Sequence, residues 1–297
     1  LSTAALGAFF DPNYEGDGLK IQEVIKRGPF AVKKNEVTAG CIIEKIDGEA
    51  IKAGEDYNAL LDGKAGKNVR LTIRNTKGKT FDLTIKAISQ GNQQELLYKR
   101  WVDRNRAIVD SVSKGRIAYV HVKAMNSESF RTVYSELLSD KNRNKDAVIV
   151  DERHNGGGWL HDDLCTLLSG KQYQEFVPHG KVVGKDPFNK WTKPSCVLIC
   201  EDDYSNGHGF PWVYKELGIG KLIGAPVAGT MTAVWWETLM DRSLVFGIPQ
   251  VGCRDMRGTF GENTTLYPHV EVYNSPEDYI TGHDTQLIRA VEEMMKK

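Results

Sequence analysis

Apolar and polar residues alternate in short runs over the first ninety positions of the chain, and the pattern then changes. Residues 18–25 alternate for part of their length, and residues 40–49 form a second apolar run that ends in the pair Asp47-Gly48. Residues 69–74 and 80–85 alternate on either side of 75–78, a strand–turn–strand pattern. A short helical patch falls at 57–61. Period-two alternation of this kind predicts a small β-rich domain over residues 1–90. From 93 to 112 the spacing becomes helical, with Leu96, Leu97, Trp101, Ile108, Val109 and Val112 on the apolar side and Arg100, Asp103, Arg104 and Arg106 on the charged side. We assign 91–113 as a connecting helix.

After Gly115 the apolar runs become continuous. Residues 117–122, 147–151 and 196–200 predict buried strands, and 127–139, 160–169 and 207–217 predict helices between and after them. Alternating strands and helices indicate an α/β domain over 114–297 with a largely parallel sheet, whose chemistry belongs at the C-terminal strand ends.

Composition narrows the field. With 40% hydrophobic and 26% charged residues the chain fits a soluble globular protein, and 39 basic against 39 acidic residues give no case for a nucleic-acid partner. No apolar run reaches the ~18–20 residues that span a bilayer. The five cysteines show no metal-ligand spacing and are expected to be buried free thiols, and no H-E-x-x-H or complete G-x-G-x-x-G points to a metal, dinucleotide or other cofactor. The compartment is not fixed by these features.

Two strand ends are unusual. One reads Asp151-Glu152-Arg153-His154-Asn155-Gly156-Gly157-Gly158; the other reads Tyr204-Ser205-Asn206-Gly207-His208. Three successive glycines suit a tight path with N–H groups turned to a ligand, as an oxyanion hole requires, or a plain turn before a helix. A serine in a strand-to-helix turn can expose its hydroxyl as a nucleophile, or simply cap the helix. The acidic trio Glu201, Asp202 and Asp203 suits either basic peptides or a solvated strand end.

In combination the two segments resemble the peptidase family that includes tricorn protease and the C-terminal processing proteases. The resemblance extends through residues 224–230 and through Gly261-Glu262-Asn263 to the closing Ser275-Pro-Glu-Asp and Gly282-His-Asp284. In the first ninety residues, Ala39-Gly-Cys41 through Asp47-Gly48-Glu49 resembles a PDZ domain, with Cys41 where that family has aspartate. The implied fold is an α/β catalytic domain with crotonase/ClpP-like βα layers behind a PDZ-like domain. The implied roles are Ser205 as nucleophile, Gly157 and Asn206 as oxyanion donors, and Glu262 in the polar network that supports the base. Leu6, Gly7, Ala8 and Phe9 fall where a peptide carboxylate would be received, or else only begin the domain. Substrates would be peptides or unfolded proteins, and the resemblance admits a homo-oligomer.

The base is the departure. Residues 228–230 hold no lysine where the C-terminal processing proteases have one, and tricorn-type enzymes take a histidine from a segment before the PDZ domain. The expectation is therefore a fragment of a longer enzyme lacking the base. His208, three residues after Ser205 and within reach of its side of a helix, is either a substitute base, a residue lining the substrate site or a surface residue. Two other readings stand beside it: a non-catalytic peptide-binding protein, and an acyl-CoA enzyme of crotonase type.

Overall fold

The computed structural model describes residues 2–33 and 36–296; Leu1 and Lys297, the outer bounds of the expected domains, lie outside them. The chain forms two compact units, Leu1–Arg104 and Asn105–Lys297, each with its own apolar core.

Unit 1 contains β1 (Ala4–Ala5), β2 (Ala8–Phe10), β3 (Leu19–Val24), β4 (Ile42–Ile46), β5 (Glu49–Ala50), β6 (Asn68–Arg74), β7 (Thr80–Lys86) and β8 (Ile88–Ser89). An antiparallel sheet runs β2-β3-β4-β6-β7, with β5 folded back on β4, while β1 pairs with β8. The alternation in β6 buries Val69, Leu71 and Ile73 and leaves Arg70 and Thr72 outside the core. In β4 the buried pair is Ile43 and Ile46, which strict alternation would send to opposite faces. A bulge resolves this: Ile43 pairs with Ile73 and Lys45 with Thr72, so Glu44 is the extra residue and Ile46 returns to the core. Asp47 and Gly48 both have positive φ (51° and 93°), the two left-handed positions of a tight hairpin turn. The helical patch is a 3-10 turn, Tyr57–Leu61, capped by the Asp56 carboxylate.

Helix α1 (Gln90–Val112) runs from unit 1 into unit 2. Unit 2 continues with β9 (Ile117–His121), α2 (Ser127–Leu137), α3 (Asp140–Arg143), β10 (Ala147–Asp151), α4 (His161–Leu168), β11 (Gln174–Phe176), β12 (Gly184–Asp186), β13 (Ser195–Ile199), α5 (Asn206–Glu216), β14 (Lys221–Gly224), β15 (Thr232–Thr238), β16 (Val245–Gly252), β17 (Val270–Glu271), α6 (Pro276–Thr281) and α7 (Thr285–Met295).

The central sheet is parallel throughout, in the order β9-β10-β13-β14-β17. Each strand joins the same growing edge, so right-handed crossovers bring α2, α4 and α5 to one face. There Val120, Val150 and Val197 pack with Leu164, Phe210 and Tyr214. Helix α7 packs on β10, β13 and β14. Strands β9, β10 and β13 are buried at every position, which is why they read as unbroken apolar runs. The hydrophobic pattern assigned no element between 218 and 272, where the structure places β14, the β15–β16 hairpin and β17. The hairpin leaves Trp235, Trp236, Val245 and Phe246 exposed, so its apolar positions follow no burial period.

Candidate active site

Strands β10 and β13 are neighbours, so their C-terminal ends deliver both unusual segments to one place. The base of the site is an ion-pair network. Arg153 Nε and Nη2 donate to the two oxygens of Asp151 at 2.9 and 2.7 Å, and Nη1 and Nη2 donate to Asp284 at 2.9 Å each. Tyr119 Oη adds a bond to Asp151 at 2.8 Å. Burial alone would raise the Asp151 pKa, but the Arg153 charge together with the hydrogen bonds from Arg153 and Tyr119 and the nearby His121 outweighs it and holds the carboxyl below its ordinary value. Asp284 also caps α7, accepting from Leu287 N–H at 3.0 Å, so the network ties the last helix to the end of β10.

Asn155 and Asp203 join the glycine run to the serine turn. Asn155 is fully buried; its Nδ2 donates to Val122 O, its carbonyl accepts from Tyr204 N–H at 2.9 Å, and its Oδ1 accepts from Gly157 N–H at 2.9 Å. Asp203 accepts from Asn155 N–H and Cys200 N–H at 3.1 and 2.8 Å. Burial pushes the Asp203 carboxyl well above the usual carboxylate range.

Ser205 occupies the N-cap position of α5, with φ 55° and ψ −117°. Non-glycine residues pay a steric penalty there, and such conformations persist where the surroundings over-determine them. Ser205 N–H donates to Thr230 Oγ1 at 3.0 Å, while its side chain makes no capping bond. The hydroxyl is therefore not spent on the helix. Gly157 lies flush against this turn: a Cβ added there would stand 2.6 Å from Ser205 Cβ and 2.8 Å from Tyr204 O. Among the described residues neither Asn206 N–H nor Gly158 N–H meets an acceptor.

The Asn206 side chain is occupied. Its Oδ1 accepts from Leu160 N–H and His161 N–H at 2.8 and 3.2 Å, and its Nδ2 meets His161 Nδ1 at 2.9 Å. The residue after Ser205 thus anchors the start of α5 to the start of α4 while its backbone N–H stays open.

A cleft of about 430 Å³ lies over the turn, lined by Gly156, Gly158, Ser205, Asn206, Thr230 and Glu262, with Val234, Trp236 and Pro249 of the hairpin as its apolar wall. Glu262 Oε2 accepts from Thr232 N–H at 2.8 Å. His208 is buried below the cleft, near Gly261, and both ring nitrogens lack a hydrogen-bond partner. Burial lowers its pKa, against the pull of Glu262, so the ring is neutral near pH 7. It makes no hydrogen bond to the Ser205 hydroxyl, and no other described side chain does.

Ser205, Asn206 and Glu262 are thus brought together in one cleft, with Gly157 directly behind the serine. Leu6 and Ala8 are buried in the core of unit 1, Gly7 N–H donates to Gln93 Oε1 at 3.0 Å, and Phe9 packs against the Arg100 guanidinium. Sequence reasoning missed Thr230, whose hydroxyl holds the strained Ser205 amide. The signal was present, because Thr230 stands in the stretch searched for a lysine. Four of the five cysteines are buried and all are free. No described helix is long and apolar enough to cross a membrane.

Comparison with known proteins follows the same division. The sequence model of peptidase family S41 matches residues 116–272, and that of the tricorn protease PDZ domain matches residues 14–90. Tricorn protease of Thermoplasma acidophilum is 29% identical over 259 residues, covering 87% of this chain and 24% of the relative. A tricorn protease homolog of Saccharolobus solfataricus is 27% identical over 310 residues, covering 100% of this chain and 28% of the relative. The crystal structure of tricorn protease superposes with a TM-score of 0.83 at 26% identity, over 99% of this chain and 29% of that one. The chain thus spans about a quarter of the length of these relatives.

Proposed function

The chain belongs to peptidase family S41, and from that premise we propose that it carries the nucleophile and oxyanion donors of a tricorn-like serine peptidase acting on peptides or unfolded proteins. The observation that carries this reading is Ser205 itself: a strained N-cap residue whose hydroxyl makes no capping bond and faces a cleft. Attack on a peptide carbonyl by Ser205 Oγ would place the developing oxyanion near the open N–H groups of Asn206 and Gly158. Gly158 replaces Gly157 as the second donor in this reading, because Gly157 N–H is engaged by Asn155. Gly157 instead supplies the close approach of the two loops.

His208 is not the base in this reading, since its buried ring meets no hydroxyl. The base comes from a segment outside residues 1–297, in a longer protein that includes this chain, and Glu262, bound to Thr232 N–H in the cleft wall, belongs to the polar network that supports it. In unit 1, a surface cleft of about 680 Å³ lined by Arg27, Lys86, Lys99 and Glu95 together with Ile88 and Leu96 carries a net positive charge and suits a peptide ending in a carboxylate better than the Leu6–Phe9 loop. Exposed Trp235, Met240 and Phe246 on the hairpin support a homo-oligomer, with Phe246→Lys lowering the mass seen by light scattering.

Fluorophosphonate labelling tests the catalytic reading. Labelling of the longer protein that Ser205→Ala abolishes, with little labelling of residues 1–297 alone, is the expected result. Equal labelling of both would place the base inside this chain. No labelling of either, with peptide affinity retained by Ser205→Ala, would replace the peptidase by a peptide-binding protein.

A further inference from the structure

Behind the serine turn, and outside the cleft, three chemically different side chains converge. His154 follows β10, while Cys200 and Asp202 follow β13. His154 Nδ1 lies 3.0 Å from each Asp202 oxygen, Cys200 Sγ lies 2.8 Å from Asp202 Oδ1, and Sγ and Nδ1 are 3.8 Å apart. Imidazole nitrogen, thiol sulfur and carboxylate oxygen are the donors that bind zinc, and ligands on a tetrahedral zinc ion stand about 3.3–3.6 Å apart, given bonds of about 2.0–2.3 Å. The separations from His154 Nδ1 fall within about 0.3 Å of that spacing, while the sulfur-to-carboxylate separation must open by about 0.7 Å, a movement open to the exposed Asp202 side chain.

From this geometry we infer that His154, Cys200 and Asp202 form a binding site for a zinc-class divalent cation. The thiol donor selects zinc or cobalt over magnesium and calcium, which take oxygen ligands. His154 N–H donates to Cys200 Sγ at 3.2 Å, the kind of outer contact that supports a metal-bound thiolate. Asp203 Oδ1, 3.5 Å from the sulfur, is held by Asn155 N–H and stands behind the site. His154 and Asp202 are half exposed or more, which leaves a fourth position open to water. Binding exchanges the Cys200 thiol proton for the ion and releases that proton to solvent. The ion straps together two loops: His154 is two residues before Gly156, and Asp202 three before Ser205. None of the three ligands lines the Ser205 cleft, so occupancy is read without any assay of peptide cleavage.

Titration of the purified chain with Co²⁺, followed by Zn²⁺ competition, tests the site. One equivalent should bind with a sulfur-to-cobalt charge-transfer band that Cys200→Ser removes and Cys253→Ser leaves intact. His154→Ala and Asp202→Asn, both at exposed positions, should weaken binding at least about tenfold and remove the rise in melting temperature that Zn²⁺ gives the parent chain. Absence of the band, loss of it in Cys253→Ser, or unchanged affinity in His154→Ala would overturn the inference.

Discussion

The hairpin turns of unit 1 and the strand-end loops of unit 2 use glycine in the same backbone conformation for different ends. Gly78 and Gly157 have φ of 81° and 95°. A Cβ at Gly78 would meet nothing within 4 Å, whereas at Gly157 it would collide with the serine turn, and at Gly158 it would stand 2.1 Å from Met125 O. The hairpin glycine only reverses the chain, and the loop glycines let two backbones touch. Positive φ is therefore not the mark of a functional glycine. What lies against its missing side chain is.

Substitutions can break this contrast in order of effect. Ser205→Ala should abolish fluorophosphonate labelling of the longer protein. Gly157→Ala should slow that labelling by about 100-fold or more, the scale of a displaced oxyanion site, with circular dichroism unchanged; normal labelling would separate the glycine from the chemistry. Arg153→Met strands two carboxylates, one fully buried, and should lower unfolding free energy by about 3–5 kcal/mol in urea melts. At the other extreme, Gly78→Ala should cost only about 1–2 kcal/mol, the steric penalty of a left-handed residue, and leave labelling untouched.

Between these lies Glu152, fully buried with both oxygens unpartnered, its carboxyl pushed well above the usual range by burial. Its contribution to stability is complete below the unfolded value of about 4.3 and is lost as pH rises toward the folded value, because the native state holds a proton that the unfolded state releases. Glu152→Gln should flatten the decline in stability between pH 5 and pH 8. An unchanged slope would assign that decline to Asp203, the other buried carboxyl whose pKa is raised.

Much of the fold was legible because burial imposes a period. Val69, Leu71 and Ile73 announce a half-buried strand, and Ala147–Asp151 a strand covered on both faces. The β15–β16 hairpin was not legible, since exposed Trp235 and Trp236 obey no such period. In the site, Ser205 and the glycine run stood out as local chemistry. The commitment of Gly157 N–H to Asn155 did not, because a side-chain bond two residues away leaves no trace in spacing.

The sequence by itself determined the two-part organisation, the parallel sheet and the residue types at two strand ends, because hydrophobic periodicity and glycine conformation act over a few neighbouring residues. Tertiary structure alone decided which N–H groups remain open, that His208 is sealed below the cleft, and that His154 and Cys200, 46 positions apart, share one triangle with Asp202. Those outcomes depend on the register between β10 and β13, which aligns Asp151 with Leu198 and so brings the two loops together in space.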